Sequence, residues 1–143
     1  MRKLLPLLVA AAALADAPKP PSTEEALVAT PDSAKFMDST TPNSPKGSQA
    51  AMVGVDPHTK GATAYAKTPA GTGLPAHWHS HAEYTVLLSG SGKLMLADKE
   101  HEVGPGAYFV IPAKTVHRFT CGTGGDCLLL TRRGGPTDYN FVK

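Results

Sequence analysis

Two histidines and a glutamate carry the strongest chemical signal in the chain. His77, His79 and Glu83 share one parity, so in extended backbone their side chains leave the same face of a strand. Two imidazoles and a carboxylate converging on one point suit a divalent transition metal. A third imidazole, His117, lies downstream of Ile111 and Pro112 in another short run that alternates apolar and polar residues and can lie beside the first. The residues therefore predict a metal site of three histidines and one glutamate: His77, His79, Glu83 and His117. Such a site keeps open positions on the metal, where it can polarise a bound oxygen donor or activate water or dioxygen. It also leaves Glu83 able to act as a base by swinging off the ion. Zn, Mn, Fe, Ni and Cu all remain open as the metal.

The same residues resemble the cupin family. Gly71, His77, His79, Glu83 and Gly90 meet every position of the first cupin motif. Gly106, Pro112 and His117 meet the second, with Lys114 in place of its inner glycine and Cys121 in place of its asparagine. Neither departure removes a ligand, and the fifteen residues between Gly90 and Gly106 fit a compact member. The resemblance spans residues 49–143 and implies an all-β, cupin-type jelly-roll barrel with the metal inside one mouth. It implies a homodimer as well. Cupins include oxygenases, isomerases, decarboxylases and lyases as well as sensors and storage proteins, so the fold does not choose a reaction. A metal-dependent enzyme acting on a small organic molecule is the reading carried forward. The alternative is a non-catalytic ligand-binding or sensor module with a structural metal.

Short strands must position these groups. Residues 50–55 and 62–67 read as strands around a turn at Asp56 and Pro57, and residues 69–75 form a loop into the histidine cluster. Further runs follow at 83–88, 93–98, 102–103, 107–111, 115–121 and 128–132, broken by Gly-rich turns. Many short runs with no convincing helix predict a closed or sandwiched antiparallel sheet, which shortens exposed edges. Parity then sends Thr85 and Leu87 inward with Glu83, and Thr115 and Phe119 inward with His117. Trp78, Tyr84, Val86 and Leu88 are left on an outer face too apolar to stay wet, which homodimer formation would cover.

His81 shares the parity of the ligands. An unbroken strand would make it an alternative to Glu83, whereas the resemblance puts it in a bend near the mouth. His58 and His101 sit in or beside turns with no partner ligands nearby in sequence, and both are expected to be exposed.

Cys121 and Cys127 flank a five-residue connection, and in an exported chain two cysteines across a hairpin are most simply a disulfide. Loop closure of that size is worth about 2.4 kcal/mol. Export is predicted by Arg2 and Lys3, the apolar run of residues 4–14 and the small residues ahead of Asp16. That run is shorter than the roughly 20 residues a membrane helix needs, so residues 1–15 read as a signal peptide and the mature protein as periplasmic or secreted. Its loss leaves 12 basic against 12 acidic residues. Nothing then argues for nucleic acid or a membrane surface as partner, and the expected partner is a small molecule. Residues 16–48 hold six prolines and few large apolar side chains, which predicts a mobile linker more than an arm packed on the domain.

Overall fold

The computed structural model describes residues 26–143. The signal segment 1–15 and residues 16–25 of the Pro-rich stretch lie outside the described residues.

Two antiparallel sheets face each other. The larger has the order β1 (Met37–Asp38), β2 (Gln49–Val55), β3 (Ala62–Thr68), β10 (Cys127–Arg133), β5 (Glu83–Ser89) and β8 (Tyr108–Ile111). The smaller runs β11 (Asn140–Phe141), β4 (His77–Trp78), β9 (His117–Cys121), β6 (Gly92–Leu96) and β7 (Lys99–Val103). No α-helix occurs among the described residues. Two sheets with these non-consecutive neighbours form the jelly roll expected of the alternating pattern.

Three strands set the long axis of the barrel. Along β5 the inward residues run Leu87, Thr85, Glu83; along β9, Cys121, Phe119, His117; along β10, Cys127, Leu129, Thr131, Arg133. Each passes from apolar to polar in the same direction. The apolar ends meet in a core of Leu87, Cys121, Cys127 and Leu129, with Val103, Ala107, Phe109 and Phe119 against it. The polar ends meet at the opposite mouth. A disulfide joins Cys121 to Cys127 within the core, tying together the strands that bring His117 and Arg133 to that mouth.

Several local expectations need correction. Residues 93–98 do not form one strand: β6 ends at Leu96, Ala97 takes a left-handed φ of 53°, and β7 begins at Lys99. His101 therefore lies half-buried on β7, opposite Leu94, rather than exposed in a turn. Trp78 does not share a face with Tyr84, because β4 joins the smaller sheet and β5 the larger. Tyr84 and Leu88 do point outward, next to the exposed Tyr108 and Val110 of β8.

Residues 26–48 form an arm and not a free tether. Thr30 caps a single 3-10 turn, Pro31–Ser33, and β1 then pairs with β2. The Tyr65 hydroxyl donates to the Ala29 carbonyl at 3.1 Å, the Phe36 and Tyr65 rings lie 6.4 Å apart, and Lys67 Nζ sits 3.7 Å over the Phe36 ring. A Pro/Ser/Thr-rich composition averages away such anchors, and here Phe36 and two backbone contacts hold the segment down.

Candidate metal centre

Two cross-strand pairs build the mouth. In the smaller sheet His77 lies directly opposite His117 across β4 and β9. In the larger sheet Glu83 lies directly opposite Arg133 across β5 and β10. His79, one residue past β4, completes the imidazole group. The His77, His79 and His117 rings are all buried and each offers a nitrogen within 4.8 Å of the others.

Which nitrogen is offered follows from the hydrogen bonds. His77 Nδ1 lies 2.7 Å from the Pro75 carbonyl, His117 Nδ1 lies 3.0 Å from the Thr115 carbonyl, and His79 Nδ1 contacts the Asp138 carbonyl. A carbonyl only accepts, so each Nδ1 carries the proton and each neutral ring turns its Nε2 lone pair inward. This is the arrangement that fixes tautomer and orientation in metal-binding histidines.

His79 Nε2 is buried with no hydrogen-bond partner. It faces Glu83 Oε2 at 3.1 Å, lone pair against lone pair. A cation between them, a proton or a metal ion, removes the opposition. The donor set thus fits a divalent transition metal, with the His77, His79 and His117 nitrogens as the ligands that converge best.

Glu83 is held differently from the three rings. Arg133 donates to its Oε2 in a buried ion pair, and the Thr85 hydroxyl donates to Oε1 at 2.8 Å. Burial alone would push the carboxyl up, but the neighbouring His79 ring, the Arg133 guanidinium and His117 outweigh it and hold the pKa at about 2. His77 shifts by burial above all, which disfavours the imidazolium and lowers its pKa to about 4. Burial lowers His117 too.

Arg133 and Tyr139 escaped the sequence reading. Arg133 NH2 lies 3.3 Å from the Tyr139 hydroxyl, and the Tyr139 ring packs 5.6 Å from His77 and 5.0 Å from His79. The signal for Arg133 was parity: Cys127, Leu129 and Thr131 alternate inward, and Arg133 continues them, while exposed Arg132 turns out to Asp56 at 2.8 Å. Asp138 also binds Ser80, its carboxylate accepting from the backbone N–H at 2.9 Å and the hydroxyl at 2.6 Å. That clamp carries the chain from β10 back over the rings.

His81 is not part of the group. It lies exposed in the bend between β4 and β5, its ring flat on Gly135, where an added Cβ would stand 2.5 Å from it. His58 is exposed in the turn after Asp56. Lys114, at the place of a motif glycine, has φ 62° while its N–H donates to the His79 carbonyl at 2.8 Å. Lys114→Gly removes the left-handed strain, and after the extra entropy of the unfolded glycine it should stabilise the protein by about 0.5–1 kcal/mol. Urea unfolding checks this; a lowered midpoint at unchanged slope would count against it.

The sequence profile of the Cupin domain family matches residues 64–131, the stretch that holds all three imidazoles, Glu83 and most of both sheets. The domain is a cupin. Solved structures share its architecture over most of its length. A cupin-2 domain protein from Rhodospirillum rubrum superposes with a TM-score of 0.65 at 16% identity, covering 87% of this chain and 85% of its own. The polyketide cyclase RemF from Streptomyces resistomycificus gives 0.68 at 22% identity, with 83% and 87% covered. KdgF from Halomonas sp. gives 0.63 at 17% identity, with 78% and 94% covered. At these identities the likeness is one of fold. No curated protein sequence matches the cupin chain.

Proposed function

We propose that this cupin is a metal-dependent enzyme acting on a small organic molecule, with His77, His79 and His117 as metal ligands and Glu83 as a fourth ligand or as the proton acceptor. The observation that carries the reading is the convergence of three imidazole nitrogens, each aimed by a main-chain carbonyl, beside a chamber of about 120 Å³ that His77, His117 and Glu83 line. When bound, the ion would supply Lewis acidity toward an oxygen of the substrate. The chain supplies the rest. Phe109, Ile111, Phe119 and Leu129 give the chamber an apolar side, and a less polarisable wall strengthens the charge interactions next to it. Thr85 steadies one Glu83 oxygen, and its own oxygen lies 3.0 Å from the Thr131 hydroxyl. While Arg133 holds the other oxygen, Glu83 is a weak base; a substrate group that draws the guanidinium away restores its basicity. Exported localisation belongs to the same proposal and rests on the N-terminal pattern.

The test is turnover of metal-loaded and metal-stripped protein against small hydroxy acids, diketones, sugars and phenols, with and without dioxygen. Activity should vanish on stripping and return with one metal in preference to the others. No turnover with any metal tried, together with a stripped protein that merely melts earlier, would replace this reading by a structural metal in a binding protein.

A further inference from the structure

A second cavity of about 420 Å³ opens beside the chamber and shares Ala66, Thr68, Leu74, Thr131, Arg133 and Tyr139 with it. Its floor is the inner face of β2 and β3, where Ala50, Ala62, Ala64 and Ala66 present methyl groups. Such a floor is apolar, and exposed Met52, opposite Ala64 on the same face, is its one long flexible side chain. The arm closes the other side with residues 39–45, including the hydroxyls of Ser39, Thr41 and Ser44. No carboxylate lines this cavity, and its charged lining residues are Lys67 and Arg133.

Arg133 stands where the two cavities meet. It is only 8% exposed, yet two protein hydrogen bonds, to Glu83 and Tyr139, use two of the five N–H donors of a guanidinium. A planar carboxylate is the group that matches the fork of the remaining donors. The volume falls in the range that encloses a small organic ligand.

We infer that the cleft between the arm and the alanine floor binds a small planar carboxylic acid with an aromatic or conjugated body. Its carboxylate sits on Arg133, its ring lies on the alanines, and its far edge is covered by the arm. This names a substrate class for the metal centre proposed above and rests on that reading for its chemistry. The binding itself needs no metal, so the two can fail separately.

Calorimetric or ligand-observed NMR titration of the full chain with benzoate, benzamide and acetate tests it. Benzoate should bind at least about tenfold more tightly than benzamide, which lacks the charge, and than acetate, which lacks the ring, because each comparison removes one of the two contacts. Ala64→Phe fills the floor and should weaken benzoate at least about tenfold while metal content and melting temperature stay at wild-type values. Equal binding of benzoate and benzamide, unchanged benzoate binding in the Ala64→Phe protein, or no benzoate binding by a protein that loads metal normally would each overturn the inference. A protein that binds benzoate as expected but holds no metal would leave this site standing and remove the metal centre instead.

Discussion

Arg133→Met should cost the metal-free protein about 3–5 kcal/mol of unfolding free energy, the penalty for leaving one partner of a buried ion pair alone. The Glu83 carboxylate is buried, faces Arg133 across the β5–β10 ladder, and receives its strongest compensating charge from that guanidinium. Thr85 donates one hydrogen bond and cannot replace a positive charge. Adding Glu83→Gln to Arg133→Met should recover much of the loss, since the double variant buries two neutral groups of similar size. A divalent metal should also rescue the single variant in part, because the ion then becomes the counter-charge of Glu83. Urea unfolding of the four proteins of this cycle, with and without metal, measures all three statements. A single variant within about 1 kcal/mol of wild type would show that the pair contributes no more than a surface ion pair does.

Losing one imidazole should abolish stable metal binding. His117→Ala removes one of the three converging imidazoles and leaves only His77 and His79 from the β4 segment, so elemental analysis after desalting should fall from about one ion per chain to background. His81→Ala, outside the group, should keep its metal. A loaded His117→Ala protein would exclude that ring as a ligand. The same rings shape the acid response of the metal-free protein. His77 and His117 are depressed below the ordinary imidazole value, so the unfolded chain takes up protons that the folded one refuses. Their contribution is fully present above about 6.5 and is lost as pH falls below that value, for His77 toward about 4. Glu83 is depressed as well, and its contribution is lost as pH falls below the ordinary carboxyl value toward about 2. Melting temperature should therefore drop in two stages on acidification. Bound metal should shift the first stage to lower pH, because it competes with protons for the ring nitrogens.

Much of the fold was legible because it rests on short-range signals. Parity placed Glu83, Thr85 and Leu87 inward, and Gly-rich turns marked most strand ends. What escaped depends on pairing across long stretches of chain. Arg133 meets Glu83 fifty positions away, and only the β5–β10 register makes them neighbours. Trp78 was grouped with Tyr84, Val86 and Leu88 because alternation alone does not reveal that a bend of a few residues sends β4 and β5 to different sheets. The hairpin at Ala97 and Asp98 hid because neither residue is the glycine that such a turn favours. The arm was misjudged because a few anchors outweigh an unpromising composition.

The main-chain carbonyls behind the three imidazoles have a consequence for mutational tolerance. Every residue type carries a carbonyl, so the acceptors at positions 75, 115 and 138 survive any substitution that keeps the backbone path. Histidine orientation supported by aspartate or asparagine side chains can be lost by a single codon change. Here the support is redundant with respect to side-chain identity, and what is fragile is the loop geometry. Insertions or deletions near residue 75, 115 or 138 should therefore damage the centre far more than replacements at those positions, and only Asp138, which also clamps Ser80 through its carboxylate, should show sensitivity to both.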